Sequence, residues 1–145
     1  MMVRPGHFEA DMNEIIPGLW MGGEIIPTLD TSFGAVVDCR MLEDIGWPSI
    51  DRAFLWIPFL DVPVLPANWL IEQGCQFIKI ALYGGLKTLV HCTAGHNRSG
   101  LIVGSYLILG KSMTPYDAVA LIRSKRGPEA LSNLTFERYL MGLHA

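Results

Sequence analysis

From Leu89 to Gly104 the sequence reads LVHCTAGHNRSGLIVG: an apolar run ends on His91 and Cys92, a small-residue loop follows, and Arg98, Ser99 and Gly100 close it. A thiol and a guanidinium on one tight turn can do chemistry together. Residues 92 to 98 join a predicted strand to a predicted helix. The successive backbone N–H groups of Thr93, Ala94, Gly95, His96, Asn97 and Arg98 can therefore turn inward over one concave spot, and such a nest backed by a helix N-terminus favours an anion. Gly95 and Gly100 permit the backbone angles and close approach that the curl requires. Helix N-termini and nearby cations lower cysteine pKa from about 8.5 into roughly the 3.5 to 7.5 range, so Cys92 is the expected thiolate nucleophile. Arg98 returns to the same centre and offers a planar fork of donors to two oxygens of a phosphoryl group, which a lysine would not match. A packed core thiol, a surface charge and a strand-end histidine would share this turn for no common reason, whereas an anion site explains Cys92, Arg98 and His91 together.

The elements that must position these residues are those of an α/β domain. Ile16 to Gly22 is predicted as a first strand, Gly34 to Cys39 as a second, Ala53 to Phe59 as a third and Leu86 to His91 as a fourth. Asn68 to Tyr83 carries Trp69, Leu70, Cys75, Phe77, Ile78 and Leu82 at helical spacing, with Pro66 to help start the helix and Gly84-Gly85 to end it. Helices are also predicted over Ser99 to Leu109, Thr114 to Lys125 and about Asn133 to Leu143. Thr114-Pro115-Tyr116-Asp117 supplies a cap, a proline at the first helical position and an acidic residue in the first turn. Strands separated by long crossovers pair in parallel, and ligands gather at their carboxyl ends. Cys92 sits at one such end. The expected fold is α/β, a central, mostly parallel sheet of about four or five strands flanked by helices.

The 145 residues fit one domain over 1–145, with half of them apolar and enough length to bury a core without disulfides or a structural metal. The longest apolar stretches, such as Leu101 to Leu109, stop well short of the roughly 18 to 20 residues of a membrane span. The start, Met1-Met2-Val3-Arg4-Pro5-Gly6-His7, has no apolar core behind its charge, so no secretory signal is expected and the expected compartment is the cytosol. Cys39, Cys75 and Cys92 form an odd set without close pairing, which suits a reducing compartment and supports neither a disulfide framework nor zinc. A formal charge of −3 gives no basic field for a nucleic-acid partner, so any anion site is local. The run Arg123-Ser124-Lys125-Arg126 ends a predicted helix and is assigned to its macrodipole. Cys75 and the tryptophans Trp20, Trp47, Trp56 and Trp69 are expected in the core.

The stretch His91 to Gly100 resembles the signature of the protein tyrosine phosphatase superfamily: His-Cys, five variable residues, then Arg-Ser/Thr-Gly, with every fixed position filled. Its short length and the helices after the loop are most similar to the compact dual-specificity class, over about Ile16 to Leu143. The resemblance implies a phosphotyrosine protein phosphatase-like fold and hydrolysis of phosphate monoesters through a phosphocysteine, without metal or other cofactor. It implies that Ser99 assists departure of the cysteine from the phosphoenzyme and that His91 braces the loop. It also implies an aspartate general acid on a loop after the preceding strand, since an alkoxide or phenolate leaves poorly unless protonated. Asp61, on the Pro-bracketed loop of IPFLDVPVLP and 31 residues before Cys92, fills that place; Asp51 precedes the strand and belongs at its wrong end. Asn133 resembles the asparagine of an Arg-Pro-x-x-x-x-Asn-x-x-Phe tail that packs near the phosphate loop, although Arg126-Gly127-Pro128 inserts a glycine; a helix cap is its expected job. Some phosphoinositide phosphatases of the superfamily keep a partner cysteine at a place similar to Cys39, which implies that it can trap oxidised Cys92 as a reversible disulfide; a buried apolar thiol is its expected job.

The loop also bears on substrate. Thr93-Ala94-Gly95 is similar to glucan phosphatases, but Asn97 replaces their second glycine and no carbohydrate-binding module is expected within these 145 residues. His-Cys-Thr with Asn97-Arg98 is similar to RNA 5′-phosphatases, which carry His where this chain has Ala94, and an acidic chain fits RNA poorly. Phosphoinositide phosphatases place lysines in the loop; here His96 is the one ionisable side chain besides Cys92 and Arg98. Phosphotyrosine and phosphoserine/phosphothreonine in proteins remain the expected substrates, with a phosphate or sulfate ion expected to fit the loop. The alternative of a different class is a phosphate-reading module without catalysis, against which Cys92, Arg98, Ser99 and Asp61 all argue.

Overall fold

In the computed structural model, which describes residues 11–24, 32–41 and 52–144, the chain runs β1 (Met12–Ile16), β2 (Leu19–Gly22), β3 (Ala35–Asp38), β4 (Ala53–Trp56), α1 (Asn68–Tyr83), β5 (Thr88–His91), α2 (Arg98–Lys111), α3 (Pro115–Arg126) and α4 (Leu134–Met141). The strands form one sheet in the order β1-β2-β5-β3-β4, parallel throughout except for β1, which pairs antiparallel with β2. The mostly parallel α/β sheet expected from the sequence is the sheet observed. One strand differs. The apolar stretch Ile16 to Gly22 is not a single strand but the corner of a hairpin, because Pro17-Gly18, with Gly18 at φ +86°, turns the chain. Its first arm, β1, carries exposed Asn13 and Glu14, so it lacks the apolar run that marks the inner strands.

All four residues of β3 and of β5 are buried, as parallel strands covered on both faces require. On one face Met21, Val37 and Val90 pack against residues of all four helices; on the other Val36 and Leu89 pack with Phe33, Trp20 and Phe54. The described helices thus share one face. α2 is buried continuously from Ser99 to Ile108, which explains why its sequence is apolar all round. Full burial of each of Leu101, Ile102 and Leu107 contributes roughly 1.5–3 kcal/mol relative to exposure. A Cβ on Gly104 would meet Leu140 at 2.8 Å, so a glycine lets α4 lie directly on α2.

Helix α1 has the predicted bounds, and Thr114 Oγ1 caps α3 by accepting from Asp117 N at 3.1 Å. The tryptophans depart from expectation. Trp20 is half-buried, while Trp56 on the edge strand β4 is 40% exposed and Trp69, in the first turn of α1, 63% exposed. At the sheet edge and the helix start no further described layer covers them; Trp47 lies outside the described residues. Among the described residues no helix is long and apolar enough to cross a membrane.

Candidate active site

The sheet order brings the carboxyl ends of four parallel strands to one place. Cys92 follows the central strand β5, and its N–H donates to Gly22 O at the end of β2 at 3.1 Å. On the other side Cys39, which follows β3, donates its N–H to His91 O at 2.9 Å. After β4 the chain passes Phe59, whose N–H reaches Cys39 O at 3.4 Å, and enters the loop that carries Asp61.

Between Cys92 and Arg98 the main chain is held from outside. Thr93 O accepts from Glu24 N at 2.9 Å, Ala94 O from Arg126 Nη2 at 3.2 Å, Gly95 O from Arg126 Nε at 3.0 Å and His96 O from Leu131 N at 3.1 Å. With successive carbonyls tied to donors around the rim, the amides are available to the inside of the curl. Gly95 N donates to Cys92 Sγ at 3.2 Å, and Ser99 Oγ lies 3.3 Å from the same sulfur. Cys92 is 2% exposed and Ser99 fully buried. Gly95 stands at φ +75°, and a Cβ there would come within 2.5 Å of Gly22 C, Gly23 N and Arg126 Nη2. Only glycine satisfies both the left-handed angle and the approach.

Arg98 is the first residue of α2. Its Nη1 donates to Phe59 O at 3.2 Å and its Nη2 to Thr93 Oγ1 at 3.1 Å, so the guanidinium is strung between the Asp61 loop and the Cys92 loop. Arg98 Nε is buried without a hydrogen-bond partner among the described residues, a donor suited to an external acceptor.

His91 is fully buried beneath the loop, with Nε2 3.9 Å from Asp38 Oδ1. Asp38 is itself buried and accepts from Arg40 N, Nε and Nη2 at 2.9, 3.0 and 3.1 Å. The Asp38–Arg40 pair was not singled out from the sequence, where an aspartate at a strand end resembles any turn residue. The positions of Cys92, Thr93, Ala94, Gly95, His96, Asn97, Arg98, Ser99 and His91 all fall in this one loop and its foundations.

Asp61 is exposed and held by two carboxamides. Asn97 Nδ2 donates to Oδ2 at 3.0 Å and Asn133 Nδ2 to Oδ1 at 2.9 Å. Asn133 also caps α4, its Oδ1 accepting from Thr135 N at 3.1 Å and Phe136 N at 3.3 Å, so the expected cap role is present beside a second one. Arg126 differs from its assignment to the α3 macrodipole. Its side chain is 2% exposed and turns away from the helix end to the loop carbonyls, to Asp11 Oδ1 at 2.9 Å and to Asn13 Oδ1 at 2.9 Å. A bidentate guanidinium can satisfy several acceptors at once, which the helix end alone does not demand. Asp51 lies outside the described residues.

Cys39 and Cys92 follow the paired residues Asp38 and His91 at the ends of adjacent strands. Burial pushes the Cys39 thiol well up, with the nearby Cys92 and Asp38 charges adding and Arg98 opposing. Cys75, expected in the core, is partly buried on α1, and burial together with Glu72 pushes its thiol up to about 12. Among the described residues no cluster of His, Cys, Asp or Glu has the arrangement of a metal site.

Comparison with known proteins shows the family to which the chain belongs. A family model described as dual specificity phosphatase, catalytic domain, matches residues 26–144. The chain is 33% identical over 144 residues to MAP kinase phosphatase with leucine-rich repeats protein 3 of Dictyostelium discoideum, covering 92% of this chain and 16% of that protein. It is 29% identical over 134 residues to dual specificity protein phosphatase 22 of Mus musculus, covering 90% and 72%. The crystal structure of human DUSP28 superposes with a TM-score of 0.80 at 21% identity, covering 92% of each chain. The chain thus spans a small part of the Dictyostelium protein and most of the mouse one.

Proposed function

The chain belongs to the dual specificity phosphatase family, and we propose that it hydrolyses phosphotyrosine and phosphoserine/phosphothreonine in proteins through a phosphocysteine intermediate. The observation that carries this function is the surroundings of one sulfur: Cys92 Sγ, at the centre of the curl, faces Gly95 N and Ser99 Oγ. A thiolate there attacks phosphorus in line. Its electron pair forms the S–P bond while the P–O bond to the leaving group breaks.

Asp61 gives its proton to the departing oxygen, and Arg98 with the loop amides stabilises the equatorial oxygens as charge spreads over them. Water then attacks the phosphocysteine with Asp61 as base, the S–P bond breaks, Ser99 donates toward the leaving sulfur, and inorganic phosphate is released. His91 supports the loop from below. Nothing in this sequence of steps calls for a metal. Cys39 is the proposed redox partner: when a peroxide converts Cys92 to its sulfenic acid, attack by the Cys39 sulfur forms the disulfide and expels water. The adjacent strand ends support that pairing.

Hydrolysis of an aryl phosphate in the presence of a chelator tests the proposal. Wild-type protein is expected to turn over, Cys92→Ser to lose turnover entirely, and Asp61→Ala to lose about 10²- to 10⁴-fold. Full activity in Cys92→Ser would contradict the mechanism. A panel of phosphopeptides, phosphoinositides, phosphoglucans and 5′-phosphorylated RNA separates protein substrates from the alternatives.

A further inference from the structure

Asp61 is exposed, and the loop around it carries Val62, Val64 and Leu65 on the surface as well, so burial does not fix the carboxylate in place. Hydrogen bonds do. Asn97 Nδ2 donates to Asp61 Oδ2 at 3.0 Å, Asn133 Nδ2 donates to Asp61 Oδ1 at 2.9 Å, and Asn133 N donates to Asn97 Oδ1 at 2.9 Å. The three residues close a ring drawn from the Asp61 loop, the Cys92 loop and the start of α4. Asn133 Nδ2 also reaches Val62 O at 2.9 Å, and Ser132 Oγ donates to Asn97 Oδ1 at 3.4 Å.

The chemistry of the partners leaves one orientation for each amide. A carboxylate only accepts and a backbone N–H only donates, so Asn97 must turn Nδ2 to Asp61 and Oδ1 to Asn133. Asn133 must turn Oδ1 to the N–H groups of Thr135 and Phe136, which leaves Nδ2 for Asp61. Each carboxylate oxygen gives one lone pair to an amide and keeps another for the proton it must deliver and retrieve. The ring therefore fixes the direction of the carboxyl group without blocking its chemistry.

We propose that Asn97 is a positioning residue for the general acid: through this ring of carboxamides it locks Asp61 to the phosphate loop in the geometry that proton transfer needs. The proposal rests on the assignment of Asp61 as that acid. Asn97 directly precedes Arg98, so the same stretch of chain that presents the guanidinium also aims the proton donor. Misplacement of a proton donor matters in proportion to the basicity of the leaving group. A purely structural loss affects all substrates alike.

The test compares kcat/KM for phenyl phosphate, a poor leaving group, with p-nitrophenyl phosphate, a good one, in wild type, Asn97→Ala, Asn133→Ser and Asp61→Ala, each with a thermal melt. Ser at 133 keeps a hydroxyl acceptor for the α4 cap but does not reach Asp61. Asn97→Ala is expected to lose about tenfold or more on phenyl phosphate and less than about threefold on p-nitrophenyl phosphate. In the Asp61→Ala background the same substitution is expected to add no further skew. Equal losses on both substrates, or no loss, overturn the positioning role of Asn97 and leave the phosphatase function standing. Should Asn97→Ala fail to fold, Asn97→Ser, whose shorter side chain does not reach Asp61, decides by the same criterion. A wild-type protein inactive on both substrates overturns the phosphatase function and the proposal with it.

Discussion

Arg126 Nε donates to the carbonyl of Gly95 at 3.0 Å, from the last residue of α3 to the middle of the phosphate loop. Its Nη2 holds Ala94 O, and its Nη1 is held in turn by Asp11 and Asn13 at the edge of the sheet. A guanidinium behind the loop thus decides which way two of its peptide groups face. Arg126→Met strips these donors and leaves the carbonyl of buried Gly95 without its partner, at about 1–3 kcal/mol for a buried acceptor. Expected are a lower melting temperature and a fall in kcat/KM of about tenfold or more, equal for good and poor leaving groups. Wild-type kinetics in Arg126→Met would remove the bracing role.

Gly95→Ala tests the same loop from within. The left-handed angle costs an L-residue roughly 1–2 kcal/mol, and the new methyl collides with Gly22 and Gly23 main-chain atoms, which cannot swing aside as a side chain can. Loss of turnover together with loss of phosphate or sulfate binding by calorimetry is expected. A variant that binds the anion normally would show that the loop tolerates a Cβ.

Treatment with hydrogen peroxide followed by mass-spectrometric thiol mapping is expected to give a Cys39–Cys92 disulfide that dithiothreitol reverses. Burial and its neighbours hold the Cys39 thiol protonated, so the yield at short times rises with pH as the attacking thiolate becomes available. Oxidation of Cys92 to a neutral sulfenic acid also removes one of the charges that raises Cys39. Peroxide inactivation with no such linkage would leave Cys39 as core packing alone.

Stability is expected to fall in alkali. In the unfolded chain a thiol ionises near pH 8.5, whereas folded Cys75 does so at about 12 and Cys39 is likewise raised. Between those values the unfolded chain gives up protons that the folded chain keeps, so unfolding is favoured progressively above about pH 8.5. Below that pH the contribution is fully present. Urea melts at pH 7.5 and 10 check the sign, and Cys75→Ala is expected to lose less stability between the two than wild type.

The sequence showed the nucleophile loop because nearest-neighbour spacing carries it: Cys92, Gly95, Arg98 and Ser99 form one contiguous turn whose chemistry is local. The four parallel strands were legible for the same reason, each a short apolar run. What was not legible depends on contacts between distant segments. Arg126 ends a helix as any arginine would, and only the packing of α3 beside β1 turns it to the loop. Asp38 and Arg40 resemble a strand-end turn until the sheet sets Asp38 beside His91. Asn97 is one polar loop residue among several, and its bonds to Asp61 and Asn133 span more than thirty positions each. β1 escaped notice because an edge strand with one wet face lacks the apolar signal, and the exposed Trp56 and Trp69 show that residue type alone does not decide depth.

The continuous enclosure of α2 from Ser99 to Ile108 bears on how the enzyme fails. Its first turn carries the guanidinium, so the phosphate clamp has no hinge of its own and moves only with the innermost of the described helices. Denaturant should therefore erase activity and global structure in one coincident transition, leaving no intact but idle species, and catalysis can serve as a direct readout of how much protein remains folded.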